Sequence, residues 1–495
     1  MIKHWQSMHE YHCFLNDSKS VFDSSERTRL HSELWLPWQK LRLFDTDKAM
    51  AFLTPFYSAS GRPAINQPQI IRSFVLFFLL FSMGLTPPSL TRWVKRLKSD
   101  RVLAALIGCP PDSLPPLGSY FDFMNRLWSA PQTALYSRNK LLPATWNSKK
   151  PNKPKGKGQK APETKPRITE VLVSRLFDGK DLLFNYEARL QQFFYTVAVL
   201  PSMQCGLIPS GPLTVSGDGT AVHTHASPRG KRKSDTSTNS DVSSALRHFS
   251  DPDAAWGWDS DLDKYYFGYT LFQLSCYNSG LRADIPLLLR FTSAKRHDSV
   301  NFLVAFHELE KHMPALSIKN MCLDSAMDNL PTYQLLKNRN ISAFIDLNSK
   351  CGHPKTIPDT IKVDKNGTPV CQEGLRMLPN GYDKSRGCLM WRCPFGKDHA
   401  AKCKNSCTSS KYGRVIKTKT EWDIRLYTDV PRGTDAYKKI YNQRTATERI
   451  NNRILNDYGL HQLRIHRKEH YSFMTTIIGI CIHLDARFKQ VQADM

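Results

Sequence analysis

The order in which strand-like and helix-like segments follow one another restricts this chain more than any other feature. Residues 213–220 (LTVSGDGT), 264–278 (KYYFGYTLFQLSCYN) and 284–298 (DIPLLLRFTSAKRHD) are rich in β-branched, aromatic and other apolar residues, and read as three successive strands. A helix is expected at about Ser299–His312, a fourth strand in SIKNMCLD (317–324), a helix at about Leu330–Lys337 and a fifth strand in ISAFIDLN (341–348). Strands first, then alternating helix and strand, predict an α/β fold built on one mixed sheet with helices against it.

The first strand ends on Asp218 between Gly217 and Gly219. A strand that stops there would hold one carboxylate at a rigid edge, and the two glycines would leave room for a substrate backbone. KNMCLDSAMDN (319–329) repeats the logic, with Asp324 at the tip of a buried strand end and Asp328 a turn further on. IYNQRTATERINNRIL (440–455) has no glycine or proline and reads as a helix. At about 100° per residue its Tyr441, Arg444 and Glu448 share one face. Two strand carboxylates and a helical glutamate suit hard divalent cations, Mg²⁺ or Mn²⁺, and a two-ion site of this kind performs phosphoryl transfer.

These residues resemble the DDE transposases of prokaryotic insertion sequences, in the subgroup with a Tyr-x2-Arg-x3-Glu-x6-Lys signature. Tyr441, Arg444 and Glu448 match it, whereas the lysine position holds Leu455 and the nearest polar residue on the right face is Asn452. The resemblance runs loosely from about Gly61 to the C-terminus. It implies a ribonuclease H-like core in two parts (168–349 and 426–495), with Asp218, Asp324 and Glu448 as catalytic acids holding two Mg²⁺ or Mn²⁺ ions. Tyr441, Arg444 and Asn452 would then support the site or position a phosphate. The implied activity is DNA transposition: endonuclease cleavage at the element ends, then strand transfer of the 3′-hydroxyl to target DNA, by a homodimer when DNA-bound. A ribonuclease H-like nuclease without strand transfer and an inactive DNA-binding protein are the alternatives.

The charge balance agrees with a nucleic-acid partner, since 69 Lys and Arg stand against 44 Asp and Glu, a net charge of +25. Residues 1–148 read as a helical domain that binds double-stranded DNA ends. Its helix after Ser89 carries Arg92, Lys95, Arg96 and Lys98, and a solvated charged face is the plainer account of the same residues. Residues 149–167 form a basic stretch broken by proline and glycine, expected to be a disordered linker. Lys295 and Arg296, after the third strand, are placed to touch phosphate.

Residues 350–425 separate the second acid from the third and read as a β-rich, Cys-rich insertion. Cys371 and Cys393 each open a Cys-x-x-Gly turn, and Cys403 and Cys407 form a close pair, so four thiolates could close a structural Zn²⁺ site. A set of reduced thiols in a β-rich insertion is the competing account. In transposases of this kind such an insertion meets DNA ends, which makes Trp391 and Trp422 base-stacking candidates against the alternative of core packing. The N-terminal segment lacks the apolar core of a signal peptide, and the apolar run 74–81 is far shorter than the ~20 residues of a membrane span. The expected setting is therefore cytoplasmic and nucleoid-associated, with no membrane partner.

Overall fold

In the computed structural model, the described residues are 1–129, 141–143, 166–182, 186–232, 246–260, 262–348, 356–404 and 406–494. Residues 149–165 of the expected linker lie outside them. The protein is a mixed α/β structure around a six-stranded sheet. Its strands are β1 (Leu213–His223), β2 (Ala255–Asp259), β3 (Lys264–Asn278), β4 (Ala283–Ser293), β5 (Ile318–Leu323) and β6 (Ser342–Ile345). Across the sheet the order is β4–β3–β1–β5–β6, and β2 pairs with the start of β3. The first two pairings are antiparallel and the last two parallel. Each parallel step needs a crossover, and the chain supplies α11 (Asp298–His312) before β5 and α12 (Leu330–Asn338) before β6.

The N-terminal part is helical: α1 (Met8–Ser20), α2 (Ser24–His31), α3 (Trp35–Arg42), α4 (Asp47–Leu53), α5 (Gln67–Phe81), α6 (Leu90–Ser99), α7 (Arg101–Ile107) and α8 (Leu117–Arg126). Then come α9 (Ile168–Phe177) and α10 (Ala188–Phe194), the latter continued by a π-turn and a further helical turn to Gln204. After β6 the sheet domain resumes with α13 (Asp435–Tyr441), α14 (Thr445–Asn452) and the C-terminal α15 (Lys468–Asp494). Every residue of α5 is buried, which is why its apolar run has no polar face: α3, α7, α8 and α15 pack around it. Arg72, buried inside that helix, donates to Gln6 Oε1 at 2.5 Å and Thr46 Oγ1 at 3.1 Å, with Tyr11 against its plane. Phe74 meets Phe473 of α15 edge-on at 4.8 Å, so the helical layer and the sheet share one hydrophobic core. Among the described residues no helix is long and apolar enough to cross a membrane.

The insertion has its own three-stranded antiparallel sheet, β7 (Leu378–Asp383), β8 (Cys388–Arg392) and β9 (Val415–Lys419). A separate small core of Met377, Leu389, Trp391, Ile416, Leu426 and Tyr427 holds it. Trp391 belongs to that core, its Nε1 donating to Thr418 Oγ1 at 2.9 Å, so it is not presented to a base; Trp422 is half-buried beside it.

Candidate active site

Asp218 lies inside β1, not at its end. The strand continues to His223 because β3 pairs along its whole outer half, with Asp218 opposite Gln273. The flanking glycines also do other work than expected. A Cβ on Gly217 would lie 2.8 Å from Leu323 Cδ2, and one on Gly219 would lie 2.6 Å from Asp298 Oδ1. Side chains of β5 and α11 thus fill the space that the sequence suggested was kept for substrate. Since neighbouring residues of a strand point to opposite faces, Asp218 faces α14 while Gly219 lies under α11.

Asp324 follows the last residue of β5, next to β1 in the sheet. Its Oδ1 accepts from the Ala326 amide at 3.0 Å, which fixes the carboxylate at the strand tip. Burial, then repulsion from Asp324, push the Asp218 carboxyl up to about 7, with Arg444 acting the other way. Asp324 is itself raised by burial. Asp298, first residue of α11, is raised by burial and by Asp324 although Asn301 donates to it at 3.1 Å. The sequence places Asp298 as the last residue of the third strand, whereas it opens α11, and so local patterning does not single out this third carboxylate of the group. Asp328 turns inward instead, accepting from the Asn348 amide at 2.8 Å and pairing with Arg425 at 3.3 Å.

The third acid comes from the expected helical stretch, which is not one regular helix. A 3₁₀ turn (Asn442–Arg444) joins α13 to α14, and a π-turn (Arg453–Asp457) follows. The face survives: Arg444 pairs with Glu448 at 2.6 Å and lies 5.8 Å from the Tyr441 ring, while Tyr441 donates to Asp346 Oδ2 at 2.7 Å. Burial works against the Arg444 cation, but Tyr441, Glu448, Asp218 and Asp324 outweigh it and raise its pKa. Arg444 thus pairs with the helix acid and carries a charge that both strand acids favour. Glu448 itself is half exposed, at the open rim of this arrangement.

Asn452 does not take the place proposed for it. It is exposed and accepts from Asn456 at 2.7 Å, whereas its neighbour Asn451 is buried and reaches Asp218 Oδ2 at 3.4 Å. Gln273, wholly buried, completes the link: its Nε2 donates to Asn451 Oδ1 at 2.6 Å and to the Thr447 carbonyl at 2.7 Å. One glutamine on β3 thus clamps the helix of the third acid to the strand of the first.

Of the cations expected to meet DNA, Lys295 and Arg296 are exposed in the turn that leads into Asp298. Arg92 and Lys95 are exposed on α6, but Arg96 donates to the Leu85 carbonyl and so serves the fold. In the insertion, Cys371, Cys393 and Cys407 line one cavity, and Cys403 is not among its lining residues. As the side chains stand, no three His, Cys, Asp or Glu among the described residues form a ready set of metal ligands. The chemistry of the strand acids nevertheless fits a cation: partly buried carboxylates that repel one another are stabilised by a divalent ion between them. No protein-family model and no curated protein sequence matches the chain.

Proposed function

We propose that this chain is a metal-dependent DNA transposase of the DDE class, with a ribonuclease H-like core that cleaves element ends and joins the 3′-hydroxyl to target DNA. One observation carries the reading: Asp218 and Asp324 stand on and just after adjacent parallel strands, Asn451 of α14 reaches Asp218 at 3.4 Å, and Arg444, at the start of α14, pairs with Glu448 at 2.6 Å. The order β4–β3–β1–β5–β6, antiparallel on one side of β1 and parallel on the other, is the order expected of a ribonuclease H-like sheet and supports this reading.

Asp218, Asp324 and Glu448 would hold two Mg²⁺ or Mn²⁺ ions. When bound, such ions activate the attacking oxygen and stabilise the leaving oxygen of a phosphodiester. The chain's own part is positioning. Gln273 and Asn451 fix α14 against β1, Arg444 orients Glu448, and Asp346 holds the Tyr441 hydroxyl. Lys295 and Arg296, exposed in the turn that leads into Asp298, would grip the backbone of the strand being cut, and the net charge of +25 supplies the general attraction to duplex DNA. Hydrolysis of the bond to the 3′ oxygen leaves a free 3′-hydroxyl, which then attacks a target phosphodiester and releases a new 3′-hydroxyl there. Two element ends would be held by a homodimer.

The test is cleavage and joining of duplexes bearing the inverted repeats that flank the coding sequence. Asp218→Asn, Asp324→Asn and Glu448→Gln each remove one anionic ligand at nearly constant shape, so folding and DNA binding should persist while both reactions fall by several orders of magnitude. Mg²⁺ or Mn²⁺ should be required and Ca²⁺ should support binding alone. Parent-level cleavage by Glu448→Gln would remove the third acid from the site. Cleavage without joining would leave a nuclease.

A further inference from the structure

In the Cys-rich insertion the structure sets a histidine, His399, against one of the four cysteines singled out by their spacing. We propose that Cys371, Cys393, His399 and Cys407 bind one structural Zn²⁺, with His399 in the place that Cys403 would have taken.

His399 is 2 % exposed, and its Nδ1 lies 3.5 Å from Cys393 Sγ. Two ligands of a tetrahedral zinc, at about 2.3 Å for sulfur and about 2.0 Å for nitrogen, are separated by about 3.5 Å. The tautomer suits a ligand as well. The Ser406 hydroxyl donates to the Thr408 carbonyl at 2.8 Å, so toward His399 Nε2, 3.4 Å away, it can only accept. This arrangement favours the proton on Nε2, with the Nδ1 lone pair toward the thiol. Holding the outer nitrogen in this way is how proteins orient a metal-binding histidine.

The other two thiols, Cys371 and Cys407, share a cavity with Cys393, between β8, β9 and the turn at Cys371. Its lining includes neither His399 nor Cys403; His399 is tied to it through Cys393. The Cys371 and Cys393 carbonyls accept from Gly374 and Gly396 at 3.0 and 3.1 Å, closing two matching turns. Gly413 seals the site: at φ +77°, a Cβ there would stand 2.8 Å from Cys393 Sγ and 3.1 Å from His399 Nδ1. Three thiolates and a neutral imidazole leave a zinc complex with one net negative charge, and Lys362 and Arg414 line the cavity beside it. Among the described residues no three of these side chains stand together as ligands, so closing the set requires Cys371 and Cys407 to move toward the Cys393–His399 pair, the change that metal binding would drive.

The experiment uses the full chain purified without chelator, with elemental analysis and, after exchange, the absorption of bound Co²⁺. One equivalent of zinc is expected, with cobalt bands of a tetrahedral sulfur-rich site. His399→Ala should lose the metal, His399→Cys should keep it with bands shifted toward four sulfurs, and Cys403→Ser should leave stoichiometry and spectrum unchanged. Ser406→Ala should weaken zinc by about 10- to 100-fold, as loss of a group orienting a ligand does. Limited proteolysis within the insertion reports whether each variant still folds there. Zinc lost in Cys403→Ser but kept in a folded His399→Ala would overturn the assignment in favour of four cysteines. Absence of zinc and cobalt from the parent protein would overturn the site altogether, leaving a thiol–imidazole hydrogen bond.

Discussion

Replacing Gln273 with leucine tests whether the site is assembled as described, independently of what it cleaves. In the native protein the Gln273 amide serves two buried acceptors, Asn451 Oδ1 and the Thr447 carbonyl. Leucine has nearly the same volume and keeps the β3 core packed, but both acceptors lose their donor. Each buried acceptor left unpaired costs about 1–3 kcal/mol. Against this, Gln273 Oε1 is itself buried without a partner, and its removal returns about 1 kcal/mol of the same penalty. The net loss should be about 1–5 kcal/mol, read from the urea midpoint at constant slope. The activity should suffer more than the stability. Asn451 reaches Asp218 and Thr447 precedes Glu448, so a freed α14 shifts the third acid relative to the first, and a misplacement of about 1 Å can cost on the order of 100-fold in rate. Cleavage of an end-bearing duplex, measured at saturating protein, should fall by about that factor while DNA affinity stays within twofold. Gln273→Leu at parental stability and parental rate would refute the clamp, and with it the claim that β3 positions Glu448.

Two further outcomes follow from the same geometry. Gly219→Ala places a methyl group 2.6 Å from Asp298 Oδ1, so it should destabilise the protein by about 1–3 kcal/mol, and adding Asp298→Ala should recover much of that loss; Gly211→Ala, with open space around it, is the control. Additive effects in the urea midpoints would show that the two residues do not touch. His483 is buried between Ser202 Oγ and the Pro286 carbonyl, and burial depresses its pKa from 6.5 to about 4. Between these values the unfolded chain binds a proton that the native protein refuses, so the stability it contributes is full above pH 6.5 and lost as pH falls toward 4. Roughly 2 kcal/mol should disappear by pH 5, and His483→Gln should flatten that part of the stability curve relative to the parent. An equal slope in both proteins would place the proton elsewhere.

Much of the sheet was legible because its strands declare themselves locally. The run 264–278 is β3 residue for residue, and Ser89 starts α6 as a side-chain cap, its Oγ accepting from the Arg92 amide. Apolar periodicity and caps are short-range properties, and they are carried by the sequence whatever packs above them. The same holds for the face shared by Arg444 and Glu448, which helical periodicity alone placed four residues apart and in contact.

What failed to show was whatever depends on which side chain arrives from elsewhere. Gly-Asp-Gly read as a strand end because nothing local reveals that β3 pairs beyond it, and its glycines read as room for substrate because Leu323 and Asp298 are 106 and 79 residues away along the chain. Asn452 and Asn451 are equally polar neighbours, and only the docking of α14 on β1 and β3 decides that Asn451 is the buried one. His399 carried no spacing rule of its own; the fold of β8 and β9 set it against Cys393. The sequence by itself thus determined the elements, the acidic candidates and the basic character of the chain, because these rest on composition and local periodicity. The tertiary structure alone decided which residues hold those acids in place, because burial and desolvation exist only once distant segments have packed.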